Sequence, residues 1–426
     1  MSEYLLKAGA GRAEIRIPES FFPYQGIRGR LYTGQHDAIH VRSLMIDNGQ
    51  TKAMILSIEL GDFGEIERWQ KLVGDLSGVP ADNVLITVTH NHMAPHASDS
   101  YNQSVVDADK TPVFNSVLET AVIEAVRQAK AQLRPARMGY GTGSCAINVN
   151  RDELVDGRYT LGRNPHGPTD QTVAVLKFED TLGMPIGFFV NYAVHGIVMF
   201  DTAVKDGGML VGGDLPGETS RQIEKRFNDQ VVALWTSGAA ADLGPMFMAR
   251  WPVFGPNAEQ HRADAGASGY LLVDVLADWL SEEVLAVASR MDRMSADVTI
   301  KSAQKLYVVP GKKKAQKPFD VPQDYVYEDG ESVNLLLSVL LVGTVALVGI
   351  PGEAVCSIGL RLKESLPFRN VIAITHCNGS ISYVSDDLGF ERKTFAALVS
   401  HVQRDFGEKA ILNGSAEMIQ SLINAV

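Results

Sequence analysis

The chain of 426 residues is 45% apolar and 21% charged, with a formal net charge of −11. That is the composition of a globular protein with a large core. The acidic balance disfavours nucleic acid and anionic membrane surfaces as partners, because no positive field would hold their phosphates. The one basic cluster, residues 311–317, reads as a solvated loop. Cys145, Cys356 and Cys377 form no Cys-x-x-Cys and predict reduced thiols. With an N-terminus that lacks signal-peptide features, they predict a cytoplasmic protein.

Strand-length apolar runs recur along the chain, at 53–60, 83–90, 172–178, 187–196, 231–242, 344–353 and 370–379. They are rich in Val and Ile and mostly continuous, as strands covered on both faces should be. Between them, residues 112–133 and 268–291 place apolar side chains at helical spacing. Segments 217–227 and 352–366 read as helices that begin after a Gly or Pro-Gly turn. Residues 333–350 carry no charge and could be taken for a membrane span. Gly343-Thr344 in the middle predicts instead a hairpin of two buried strands. Interspersed strands and helices predict an α/β fold with mixed β-sheets flanked by helices. The reading is one domain over 1–426, with loop insertions at 245–262 and 310–332 that serve a site or an interface.

The segment 84–96, "VLITVTHNHMAPH", holds three of the ten histidines. Residues two apart on a strand share a face, so His90 and His92 point the same way if the extended chain continues. They could ligate a metal or pair a ligand with a base; equally, they could be polar residues where a strand meets water. Ala94 and Pro95 exclude the metallo-β-lactamase pattern His-x-His-x-Asp-His, whereas an amidohydrolase-type dinuclear site stays open. Other apolar runs end in His195, Glu353 and the stretch carrying His376, Asn378 and Tyr383. Function gathers at strand ends in α/β folds. Two imidazoles and a carboxylate are the donor set of a catalytic zinc with an open position.

"AGAGRAEIRIP", "THNHMAP", "NYAVHGIVM" and "VGIPGEAVCSIGLRLK" together resemble, in order and spacing, the N-terminal catalytic domain of the neutral/alkaline non-lysosomal ceramidases. The resemblance spans most of residues 8–400. It implies one Zn2+ per chain, held by His90, His195, Glu353 and Tyr383, with His92 and Arg151 as catalytic neighbours and Tyr383 serving in both sets. It further implies hydrolysis of an amide or ester bond by metal-activated water.

Two family residues are missing: a serine, whose position is Gly244, and a second tyrosine, whose position is Phe395. The serine route is thereby closed. The chain's length leaves no room for the C-terminal domain of true ceramidases, so the expected substrate is a soluble small molecule rather than ceramide. Self-association is left open, and a non-catalytic binding protein that retains the fold is the other alternative. Asp214 is read as a helix N-cap, and Asp242 as a group that orients backbone or a ligand histidine. His36 and His40 are read as structural; His96, His166, His261, His376 and His401 receive no role.

Overall fold

The computed structural model describes residues 5–424 except 27–28, 98–106, 108, 255–259 and 323. Its centre is an eight-stranded sheet in the order Val232–Ser237, Pro185–Tyr192, Thr172–Asp180, Arg134–Ser144, Lys7–Glu14, His40–Asp47, Lys52–Ile58, Val84–Val88. The two edge pairs are parallel and the inner pairs antiparallel. A second sheet of Ile300–Lys312, Asp329–Val342, Val345–Gly349 and Asn370–Ile374 ends in another parallel pair.

Alternate side chains build the layers. Met54 and Leu56 face the layer of helices Ile66–Ser77, Thr111–Ala131, Asp214–Arg226 and Tyr270–Ser289, while Ile55 between them faces the second sheet. In that sheet Val345 and Leu347 meet the first sheet, and Ala346 and Val348 meet helices Cys356–Ser365 and Phe406–Asn424. The result is helix, sheet, sheet, helix. Both sheets are covered on both faces, which is why their strands read as continuous apolar runs. Among the described residues no helix is long and apolar enough to cross a membrane.

The apolar stretch 333–350 is the expected hairpin: Val342 pairs with Val345, and Gly343 takes a φ of 58° that glycine adopts without steric cost. The cysteines are buried and free. Several expectations need correction. The segment 245–262 is not a bare loop, since Arg250–Phe254 and Gln260–Asp264 pair as an antiparallel hairpin. The insertion at 310–332 is shorter than read, because its strands run to Lys312 and resume at Asp329. The helix expected from 217 starts at Asp214, since Pro216 fits a first turn where no N–H is needed. The helix expected at 352–366 starts only at Cys356, after Glu353–Ala354 has paired as a strand with Tyr383–Val384.

Asp214 is not the N-cap of its own helix. Its carboxylate accepts from Val198 N at 3.1 Å and Met199 N at 2.9 Å, holding the loop that follows His195. The helix carrying Asp214 is fixed in turn by a buried ion cluster. Arg42, in the middle of the first sheet, binds Glu59 through Nη1 and Glu224 through Nε at 2.7 Å. Arg12 reaches the second Glu224 oxygen at 2.5 Å. Burial alone would raise both carboxyls, but Arg42 holds Glu59 and Glu224 below the usual carboxylate range.

Groups whose pKa falls on folding stabilise the fold above their unfolded pKa, about 4.3, and lose that contribution as pH drops through the folded value. Urea unfolding followed against pH is therefore expected to show stability falling steadily below pH of about 4.5. Arg42→Met, which takes the paired guanidinium from buried Glu59 and leaves Glu224 with Arg12 alone, is expected to cost about 3–5 kcal/mol at neutral pH.

Candidate metal centre

Three parallel strand pairs end on the same side of the two-sheet stack, and their following turns carry the site. The Val84–Val88 strand leads to His90 and His92, Pro185–Tyr192 to His195, Val345–Gly349 to Glu353 and Asn370–Ile374 to His376. His90 is not extended as the sequence reading required. Its φ of 57° is left-handed, and the chain leaves the strand at Val88. The two imidazoles nevertheless meet, with Nε2 atoms 3.1 Å apart.

His90 Nε2 lies 3.2 Å and His195 Nε2 3.1 Å from the same Glu353 oxygen, Oε2. The other nitrogen of each ring faces a carbonyl: His90 Nδ1 donates to Gly61 O at 2.8 Å and His195 Nδ1 to Leu243 O at 3.0 Å. A neutral imidazole has one N–H, and here both are spent on carbonyls. The two Nε2 lone pairs therefore point at a carboxylate oxygen, acceptor against acceptor, in a buried place. Positive charge among them resolves that conflict. Donors held about 2.0–2.2 Å from one ion lie roughly 3–3.5 Å apart, which both imidazole separations from Glu353 match. The residues fit a divalent cation, with backbone carbonyls fixing both ring tautomers.

Burial and mutual pairing set the ionisation of the cluster. Burial pulls His195 down, with help from the Arg151 guanidinium, to about 3. His92 is held well below its usual value by burial and by His90 and His195. For His90 burial also lowers, but the Glu353 carboxylate outweighs it and the net shift is upward. Glu353, which burial would raise, stays well below the carboxylate range because of His90.

Arg151 is buried, with Nε and Nη2 on the Ala241 carbonyl at 3.0 and 2.6 Å. The same Nη2 lies 3.2 Å from His195 Nε2 and 3.2 Å from the Tyr383 hydroxyl. Tyr383 sits opposite Glu353 in the short parallel pair. His92 stands edge-on to Phe200, whose ring faces Arg30 at 3.9 Å. Asp242 orients backbone and not histidine, accepting from Cys356 N at 2.6 Å and Asn150 Nδ2 at 3.0 Å. His96 contacts Asp62 at 3.4 Å. Residues 98–106, in the stretch that follows His96, lie outside the described residues.

The sequence reading left His376 without a role, yet the structure puts it in the same cavity as His90, His195 and Glu353. Its signal was available: like His195, it follows a continuous apolar strand. Two overlapping groups can each offer three donor atoms within 4.8 Å of one another: His90, His92 and His195, and His90, Glu353 and His376.

The family model for the neutral/alkaline non-lysosomal ceramidase N-terminal region matches residues 31–253, just over half of the chain. Neutral ceramidase of Drosophila melanogaster is 26% identical over 270 residues, covering 57% of this chain and 36% of its own. That of Pseudomonas aeruginosa is 26% identical over 217 residues, covering 48% and 30%. The chain thus spans about a third of the length of the curated relatives it matches. The crystal structure of the Pseudomonas aeruginosa neutral ceramidase superposes with a TM-score of 0.73 at 16% identity, over 99% of this chain and 74% of that one. A ceramidase complexed with C2 gives 0.74 at 15%. His90, His92, Arg151 and His195 lie within the family match; Glu353, His376 and Tyr383 lie beyond it.

Because the Glu353 carboxylate raises the His90 pKa and a metal ligand must be deprotonated, cation binding at a pH below that raised value should release a proton. Calorimetry with Zn2+ in buffers of different ionisation enthalpy is expected to detect it. Affinity should rise with pH up to the raised His90 pKa and level off above it.

Proposed function

Because the chain belongs to the neutral/alkaline non-lysosomal ceramidase family, we propose that it is a zinc-dependent hydrolase that cleaves an amide or ester bond of a small soluble molecule. The observation that carries this reading is the convergence of His90 Nε2 and His195 Nε2 on one oxygen of Glu353, at 3.2 and 3.1 Å. These three residues would hold the ion, in the nitrogen and oxygen set that suits zinc. When bound, the ion supplies Lewis acidity, stabilising negative charge on a carbonyl oxygen and on the attacking water.

The chain's own groups supply the rest. His92, kept neutral by burial and its imidazole neighbours, can take a proton at Nε2 and return it to the leaving amine or alcohol. Arg151, pinned to the Ala241 carbonyl, presents Nη2 toward the same space as the Tyr383 hydroxyl. Together they can donate to a developing oxyanion without reorganising. Gly244 offers no hydroxyl, so the nucleophile is water. The net charge of −11 opposes residence on an anionic bilayer and supports a soluble substrate.

The two overlapping donor groups favour, as a second reading, a dinuclear amidohydrolase-type centre. Both groups need His90, however, and with Nδ1 committed to Gly61 O it has a single lone pair to give. One ion per chain is the better reading.

His195→Ala is expected to lose both the bound metal and at least about 10³-fold in hydrolysis on an amide and ester panel. His92→Gln should keep its metal and lose about 10²–10⁴-fold in kcat. Chelation should abolish turnover and Zn2+ restore it, with one ion per chain by elemental analysis. A His195→Ala protein that retained metal and full activity would defeat the proposal, and a stoichiometry of two would favour the dinuclear reading.

A further inference from the structure

His376 is buried, 6% exposed, and among the described residues its Nδ1 has no hydrogen-bond partner. An unpartnered buried polar atom costs about 1–3 kcal/mol, and its packing role could be filled by an apolar side chain. The main chain around it is strained as well. His376 and Asn378 take φ of 51° and 54°, left-handed values that persist only when the surroundings enforce them. The enforcing bonds come from the turn that carries Glu353: His376 N donates to Gly352 O at 3.2 Å and Cys377 N to Ile350 O at 2.9 Å. Glu353 and His376 are thus held as one rigid unit. The His376 ring stacks on His90, with centroids 3.9 Å apart and planes 20° from parallel, and shares a set of donor atoms within 4.8 Å with His90 and Glu353.

We propose that His376 is a ligand of the same cation, making with His90, His195 and Glu353 a set of three imidazoles and one carboxylate, and that Tyr383 supports this set by hydrogen bonds instead of joining it. The inference rests on the metal centre proposed above. The two rings are stacked, so a turn of His376 about its Cβ–Cγ bond, a broad torsion, would bring it onto the ion that His90 faces, and among the described residues no Nδ1 hydrogen bond opposes that turn. The Tyr383 hydroxyl, by contrast, is already engaged by Arg151 Nη2 at 3.2 Å and by the Glu353 carboxylate. A third imidazole in place of a labile phenol gives a tighter and less readily exchanged ion.

The test uses the full chain stripped of metal and titrated with Zn2+ against a chromophoric chelator, and with Co2+ followed by visible absorption. His376→Ala and His376→Asn are each expected to weaken Zn2+ binding by at least about 100-fold and to shift the Co2+ bands. Tyr383→Phe should leave the Co2+ bands in place. X-ray absorption of the zinc-loaded wild-type chain should show three imidazoles, which covers the case of a variant that does not fold. Wild-type affinity and bands in both His376 variants, or two imidazoles in the wild type, would overturn the assignment and leave the centre standing. A wild-type chain that binds neither ion would remove the centre and the assignment together.

Discussion

The two sheets are not merely stacked; at one end their main chains are hydrogen-bonded to each other. Thr375 N donates to Ser237 O at 2.9 Å, Asn378 N to Ile86 O at 2.8 Å, and Thr87 Oγ1 to Thr375 O at 3.1 Å. Asn378 returns the bond, its Oδ1 accepting from Ile86 N at 2.8 Å, and the buried Asn191 donates across to Ala373 O at 3.0 Å. In an apolar sandwich each of these groups would be costly unpaired, so the stitching fixes a single register between the sheets. A slip of one residue would orphan the whole row. The strand ends bearing His90, His195, Glu353 and His376 inherit that register, and their separations follow from it.

The same region concentrates the conformations that an isolated chain avoids. His90, His376, Asn378 and Ser382 all have positive φ, and Asp214 joins them where it grips the loop after His195. Left-handed conformations at non-glycine residues cost of order 1 kcal/mol or more each, and the sandwich around them supplies the constraint. To this is added the opposition of imidazole lone pairs and the Glu353 oxygen. A cation would relieve it, so binding the ion and stabilising the fold are one free-energy change. The Arg42 cluster acts one step back, securing the helix whose first residue secures the loop.

The sequence made the elements legible because continuous Val- and Ile-rich runs carry their own signal, as does a glycine between two of them at 343. It made His90, His195 and Glu353 legible because each follows such a run. Periodicity does not name a partner, however. Nothing in the stretches 53–60 and 344–353 says that Ile55 will face Leu347, so the four-layer stacking was beyond reach. The hairpin of Arg250–Phe254 and Gln260–Asp264 was hidden by a polar composition with a proline. Asp214 was misread because the N–H groups of Val198 and Met199 that donate to it lie in a different loop. His376 obeyed the rule applied to His195 and was passed over only because the resemblance assigned it nothing.

Gly244 and Phe395 stand where the resemblance places a serine and a second tyrosine. A Cβ built at Gly244 would have Ile197 Cδ1 at 3.9 Å as its nearest neighbour, which is ordinary contact. Its backbone lies in the strand Leu243–Pro245, so no left-handed conformation demands glycine either. The fold would accept a serine there; sterics are not why the hydroxyl is missing. Phe395 meets Tyr383 edge-on at 5.6 Å and stacks on Phe319 at 5.1 Å, making an apolar wall beside the phenol. At 244 a side chain would meet only ordinary contact and at 395 the surface is aromatic, while the imidazoles and the carboxylate converge. Such a site holds groups that suit a cation and, at positions 244 and 395, offers no hydroxyl to act as a side-chain nucleophile.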